Sequence, residues 1–313
     1  MAESAYRLLS GDTSFADTVR LISPIGQDML GQYVRSTLTE SGLRTDGLIA
    51  SNGATSSVTL QLNHSGDLIT GIADIDADGM SPEHAASVTS INPSVVAFDA
   101  NISSEAIRVL LQQSRCITIF EPTSVVKCTK IVDLESFPDI MTPNEAELLA
   151  MYEHAVPKDL LKTHPPSKEE ALTSGKLRIS PEVVRAALAM CKWKNVVLLI
   201  KCGERGVLLA RPSEDEVKLQ QFSVPVIKAE SIVNTTGCGD TFAGVVAACI
   251  HVQLQDGSLE AGKRPFQWSE EDWSSIIETA QRAAALTLQS ANATSNKLHK
   301  LAIEMDLFAG SKA

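Results

Sequence analysis

Residues Asn234-Thr235-Thr236-Gly237-Cys238-Gly239-Asp240-Thr241-Phe242-Ala243-Gly244 combine the types and spacing needed to handle a phosphate. Two glycines and an aspartate stand where an apolar strand over residues 231–233 is expected to turn into a helix. Glycines allow successive backbone N–H groups to converge, and a helix N-terminus adds unpaired donors and the positive end of its dipole. Such a turn attracts anions, phosphate above all. A carboxylate in a phosphate cradle repels its ligand unless it has chemistry to perform. For Asp240 that chemistry is accepting the proton of a hydroxyl that attacks a phosphoryl group. A plain tight turn, with Asp240 as helix cap, accounts for the same residues.

Two further clusters precede this one. Thr142-Pro143-Asn144-Glu145-Ala146-Glu147 puts an amide and two carboxylates at a helix start, with Thr142 as cap and Pro143 in the first turn as the simplest explanation. Residues 196–200 read as a buried strand running into Lys201-Cys202-Gly203-Glu204-Arg205-Gly206-Val207, a glycine turn between strands that suits an ordinary hairpin or a nucleotide contact.

These motifs need rigid elements behind them. Apolar runs alternate with helical patterns, which indicates an α/β layer fold with a mainly parallel sheet. Helices are expected over Ala2–Leu9, 29–41 (stopped by Gly42), 103–113 and 273–288, with a small face of Ala280, Ala283 and Ala284 in the last. Strands are expected over 19–23, Val95–Asp99 and Ile117–Glu121. Ligands in open α/β sheets sit at the carboxyl ends of strands, so Asp99, Asn101 and Glu121 are candidate substrate residues, or caps of the next element. Residues 55–69 alternate polar and apolar types before a Ser-Gly-Asp turn, as a half-exposed hairpin does. Residues 154–176, rich in Pro, Lys, Glu and Ser, read as a surface insertion.

The chain has 313 residues, 44% hydrophobic and 21% charged, enough for one large α/β domain. A formal net charge of −11 without a basic stripe argues against nucleic acid as partner. No apolar run reaches the roughly 18 residues of a membrane span, and the first residues lack the basic-then-apolar order of a signal peptide. Six cysteines without Cys-x-x-Cys spacing point to reduced thiols and a cytoplasmic location rather than a zinc site or disulfides. Cys238, at a helix N-terminus, is expected to have a lowered thiol pKa, or merely to fill the place of a small residue.

The Thr236-Gly237-Cys238-Gly239-Asp240 turn resembles the C-terminal signature of the ribokinase-like, or PfkB, carbohydrate kinases, with Cys238 in place of an alanine. The resemblance implies a ribokinase-like three-layer α/β sandwich over residues 1–313, with a small β lid near residues 48–72. It implies Asp240 as catalytic base and an anion hole from the amides of Gly237, Cys238 and Gly239. Lys201, Gly203, Gly206 and Thr236 then contact the nucleotide, and Asn144 and Glu147, as an Asn-x-x-Glu motif, organise a magnesium–phosphate network through water. The helix over 273–288 lies beside the adenine in such proteins. ATP, magnesium and a monovalent cation follow as cofactors, a sugar or nucleoside as substrate, and a homodimer as an assembly. Met1-Ala2-Glu3-Ser4-Ala5 fits the end of the family's Gly-Gly-x-x-x-Asn-x-Ala sugar loop. By the resemblance, the chain is expected to be N-terminally truncated, with a gap left in the sheet by the first strand. Asn234 and the segment Glu121-Pro122-Thr123-Ser124-Val125-Val126-Lys127 are similar to pseudouridine kinases, implying pseudouridine as acceptor and a functional link or fusion to a pseudouridine-phosphate glycosidase. Another sugar or nucleoside acceptor, or an inactive nucleotide-binding relative, stays open.

Overall fold

A computed structural model of the chain describes residues 1–62, 68–75, 80–156, 176–214 and 216–309. Its centre is a six-stranded sheet of β5 (Val95–Asp99), β6 (Ile117–Glu121), β7 (Ile140–Met141), β8 (Val197–Lys201), β9 (Val207–Pro212) and β10 (Val217–Phe222), in the order β10-β9-β8-β7-β6-β5. The ladders from β5 to β8 are parallel, and β9 and β10 are added antiparallel. Strands β6 and β8 are apolar at consecutive positions because both faces of a parallel sheet are covered by helices.

The two faces separate cleanly. Ile119, Ile140, Val197, Leu199 and Leu209 pack with Leu8 of α1 (Ala2–Leu9), α7 (Cys238–Gln255), α8 (Glu270–Leu288) and α9 (Leu298–Glu304). Phe98, Phe120, Met141, Leu198 and Ile200 pack with α3 (Pro82–Ser90), α4 (Ser104–Gln113), α5 (Glu145–Ala155) and α6 (Pro181–Lys194). Neighbouring residues of β8 thus feed opposite cores, as the two-residue strand period demands. This is the three-layer sandwich expected.

The remaining elements stand apart from this sheet. β1 (Ser23–Ile25) and β2 (Leu48–Ala50) form a separate parallel pair, flanked by α2 (Met29–Glu40). The strand expected over 19–23 therefore starts later. Arg20 makes one isolated bridge to Arg44 and turns its guanidinium to Asp46 at 2.7 Å, so residues 19–22 build no ladder. β3 (Ser57–Leu62) and β4 (Leu68–Asp74) pair antiparallel, as the lid reading requires, and leave Val58, Ile69 and Ile72 exposed. The expected Ser-Gly-Asp turn of this hairpin and most of the 154–176 insertion lie outside the described residues. Among the described residues β5 is an edge of the main sheet, with no ladder to β1 or β2.

The helix boundaries follow their caps. α2 begins where the Asp28 side chain accepts from the Gly31 N–H at 2.8 Å and stops before Gly42, whose φ of +85° suits glycine alone. Asp28 also accepts from Thr55 through its backbone N–H (2.8 Å) and hydroxyl (2.6 Å), tying the start of α2 to the segment that enters β3.

Candidate active site

The phosphate-turn residues lead into α7, but no strand precedes them. Residues 229–231 form a 3-10 turn, Ile232 and Val233 are exposed, and the Val233 and Asn234 N–H groups both bond to the Leu288 carbonyl. The apolar pair Ile232-Val233 looks like strand in a local window, yet it sits at the end of α8 rather than in the sheet. The Thr236 N–H donates to Asn234 Oδ1 at 2.9 Å, and Gly237 then takes the left-handed conformation, φ +82°, as the N-cap of α7. A side chain at Gly237 would collide with the Ala293 carbonyl. Two independent constraints therefore require glycine here.

The donors differ slightly from those expected. The Cys238 N–H is turned to the Thr235 carbonyl at 3.4 Å, whereas those of Gly237, Gly239 and Asp240 have no bond to a protein acceptor among the described residues. Two of the three expected donors are thus open, and Asp240 itself adds another. Its carboxylate makes no cap bond, is 58% exposed, and has Oδ1 3.9 Å from the Met1 amino group. An exposed carboxylate beside open N–H donors can meet a ligand hydroxyl, which the capping alternative did not require. Of the two readings of Cys238, the structure fits the small-residue one: burial pushes its thiol up to about 11. A half-buried thiol at that value packs as a small apolar residue.

Gly239 faces a second group. A Cβ there would lie 3.1 Å from Lys201 Nζ and 3.9 Å from Glu121 Oε1. Lys201 ends β8, Glu121 ends β6, and the ammonium stands 2.8 Å from both carboxylate oxygens. The intervening β7 ends at Met141, and the buried Thr142 beyond it donates its hydroxyl to Glu121 Oε2. Burial raises the Glu121 pKa, opposed by Lys201 and Thr142 and reinforced by the nearby Glu147 charge. Glu121 is therefore committed to Lys201 and is no free substrate ligand. Thr142 does not cap α5, as the simplest explanation had it.

The cap of α5 is Asn144. Its side chain accepts from the Glu147 N–H and the Glu147 carboxylate accepts from the Asn144 N–H, both at 2.9 Å, a reciprocal box. The Pro143 carbonyl accepts from the Lys201 N–H at 2.8 Å, which fixes the box against β8. Among the described residues no group of three or more His, Cys, Asp or Glu is disposed to hold a metal by itself. A magnesium ion here would use one or two carboxylates and depend on the nucleotide phosphates for its other ligands.

The 201–207 turn is the hairpin expected, with Gly203 at φ +59° and Gly206 at φ +84°. Gly206 lies against the Phe222 carbonyl and 3.0 Å from Gln281 Nε2 (measured to where its Cβ would be), so the turn touches α8. The α8 helix spans the expected 273–288 and begins three residues earlier, at a capping box of Ser269 and Asp272. Asp99 lies opposite Glu121 in the β5–β6 register. Its two oxygens take the Asn101 N–H (2.9 Å) and side-chain amide (2.8 Å), and Asn101 Oδ1 accepts from Lys127 Nζ. Lys130 Nζ binds the Ala100 and Ile102 carbonyls at 3.0 and 3.2 Å. Neither Lys127 nor Lys130 was named as a site residue, although Lys127 closes the Glu121–Lys127 segment and Lys130 follows it by three residues.

The carboxyl edge thus brings together Glu121, Thr142, Lys201 and Gly239, and separately Asp99, Asn101 and Lys127. No helix among the described residues is long and apolar enough to cross a membrane. Residues 9–300 match the family described as pfkB family carbohydrate kinase. A pseudouridine kinase of Escherichia coli is 25% identical over 234 residues, covering 73% of this chain and 66% of that protein. A pseudouridine kinase of Arabidopsis thaliana is 29% identical over 162 residues, 49% of this chain and 41% of its own. The chain therefore aligns with less than two thirds of the length of either relative. Among solved structures, a proposed ribokinase II of E. coli in complex with ATP and Mg²⁺ superposes with a TM-score of 0.59 at 16% identity, covering 96% of this chain and 86% of the other. The ribokinase-like architecture and the family match agree, and the chain belongs to the pfkB family of carbohydrate kinases.

Proposed function

We propose that the chain transfers the terminal phosphoryl group of ATP to a hydroxyl of a small sugar or nucleoside, with the ribose 5-hydroxyl of pseudouridine as acceptor. The observation that carries the reading is the exposed Asp240 carboxylate in the first turn of α7, beside the open Gly239 and Asp240 N–H groups. Bound magnesium–ATP supplies the phosphoryl group and charge neutralisation. Asp240 takes the hydroxyl proton as the acceptor oxygen bonds to phosphorus and the bond to ADP breaks. The open N–H groups of Gly237, Gly239 and Asp240 hold the charge on the phosphoryl oxygens. Glu147, held by the Asn144 box, would be the carboxylate that takes a water of the magnesium ion. The two pseudouridine kinases among the relatives favour pseudouridine over other nucleosides.

The test is to incubate the protein with magnesium–ATP and pseudouridine, uridine or ribose and identify the phosphorylated product by mass spectrometry. Pseudouridine 5'-phosphate as preferred product supports the reading, and another phosphorylated acceptor corrects the substrate alone. ATP binding with no product from any of the three points to a nucleotide-binding relative without this chemistry. Asp240→Asn, which keeps size and helix compatibility, should cut turnover by roughly 10²- to 10⁴-fold with ATP affinity nearly unchanged.

A further inference from the structure

Asn52-Gly53 is the only Asn-Gly step in the chain. An asparagine before glycine is chemically labile, because no side chain on the next residue shields its amide carbon from the following backbone nitrogen. Both residues are exposed in a bend between β2 and β3, and among the described residues the Asn52 side chain has no hydrogen bond to hold it. The Gly53 N–H belongs to no ladder and donates to the Ser51 hydroxyl at 3.1 Å. Asn101 and Asn144, by contrast, have their side chains tied down by Asp99 and by the α5 capping box.

The bend is fixed on both sides. Upstream, the Ser51 N–H donates to the Ile25 carbonyl at the end of β1, at 2.8 Å. Downstream, Thr55 is bonded to Asp28 through its N–H (2.8 Å) and hydroxyl (2.6 Å), and the same hydroxyl accepts from the Gly26 N–H at 2.9 Å. The Gly53 carbonyl and the Thr55 nitrogen lie 2.7 and 2.6 Å from where a Gly26 side-chain carbon would stand, so the segment is pressed onto β1 with no slack. Asn52, Gly53 and Ala54 therefore bridge two anchored residues, and Ser57, just beyond Thr55, opens the β3–β4 hairpin.

We infer that Asn52 is a deamidation site at the base of this hairpin, and that its conversion to isoaspartate releases the hairpin from α2. The Gly53 nitrogen, its proton lost to hydroxide, bonds to the side-chain amide carbon of Asn52. The bond from that carbon to the amide nitrogen breaks, and the nitrogen takes up a proton and leaves as ammonia. Water then opens the resulting succinimide. Opening at the side-chain carbonyl gives aspartate. Opening at the backbone carbonyl gives isoaspartate, in which the main chain runs through the former side chain and is one methylene longer. The net change is one water consumed and one ammonia released, with no oxidant or reductant. A longer chain between Ser51 and Thr55 cannot keep both anchors, and Thr55 is the one that carries the hairpin.

Ageing the full chain in mildly alkaline buffer tests the chemistry, with peptide mass spectrometry and enzymatic methylation of isoaspartate as readouts. Asn52 should convert ahead of every other asparagine, faster as pH rises, with isoaspartate as the main product. Asn52 intact, or converting no faster than the other asparagines, overturns the site. Amide hydrogen exchange tests the consequence without turnover. Converted protein should exchange faster than fresh protein over β3 and β4, with the central sheet unchanged. Aged Asn52→Gln, which keeps the amide but must close a larger and slower-forming ring, should exchange like fresh protein. Equal exchange before and after conversion overturns the release of the hairpin, as does equal loosening in aged Asn52→Gln. One further readout rests on the kinase reading above: KM for the acceptor should rise several-fold on conversion, with KM for ATP unchanged. An unchanged acceptor KM in converted protein overturns the link from hairpin to acceptor. Fresh protein without turnover on any acceptor overturns the kinase reading alone, and hydrogen exchange still decides this inference.

Discussion

The backbone of Gly237 faces the Ala293 carbonyl with no room for a side-chain carbon between them. This contact joins the N-cap of α7 to the segment after α8, so the turn that carries Asp240 is positioned by tertiary packing as well as by its own left-handed dihedral. Gly237→Ala should therefore carry both a φ penalty and a collision. A loss of about 1–3 kcal/mol is expected from the strained dihedral alone. Urea denaturation would measure it, and a midpoint equal to wild type would mean that the turn relaxes without cost.

Asn144 caps α5 and, in the proposed function, belongs to the magnesium–phosphate network, and substitution separates the two roles. Asn144→Ala should cost about 1 kcal/mol of stability through loss of the cap, while Asn144→Asp should retain it. Both should weaken magnesium-dependent ATP binding if the Asn144 amide matters beyond the cap. Thermal unfolding with and without magnesium–ATP reads both effects in one experiment.

Acid sensitivity should trace partly to Asp28. Hydrogen bonds from the Thr55 hydroxyl, the Thr55 N–H and the Gly31 N–H hold its carboxyl down, from 3.8 to about 2. A depressed folded pKa gives stability that is present above the unfolded value and lost as pH falls through the folded one. The window therefore runs from about pH 4 down to about pH 2. Asp28→Asn can still cap α2 but cannot titrate, so its melting temperature should fall less steeply across that window. Parallel curves for the two proteins would remove Asp28 from the acid response.

Cys238 should be a slow thiol. With its pKa pushed up to about 11, little thiolate exists at pH 8, and alkylation by iodoacetamide should be slower than for a free cysteine of pKa near 8.5. Mass spectrometry of the labelled peptide would follow the rate, which should keep rising as pH approaches the thiol pKa. A plateau below pH 9 would contradict the burial that raises it.

Local pattern was enough for much of the scaffold. α1 matches its expected span, β5 and β6 match theirs, and α2 stops at Gly42, because apolar period, caps and glycine act over a few residues. The turn at Gly237 was visible for the same reason: glycine is the residue that takes a left-handed dihedral without steric cost, and it marks a tight turn locally. Residues 231–233 were not legible, since an exposed apolar pair held by the Leu288 carbonyl has the same local composition as a strand. The cap of α5 was placed at Thr142 by residue type, but the parallel bridge between Asn144 and Lys201 draws the chain past Thr142 before the helix can begin. Sequence showed two apolar strands ending in opposite charges, Glu121 and Lys201, and nothing local said that they meet. Their contact spans 80 residues of sequence and depends on strand order, the early end of β7 and the glycine beside them. Charge complementarity is a property of residue types, but which charges share a buried space is decided by the sheet that brings their strands together.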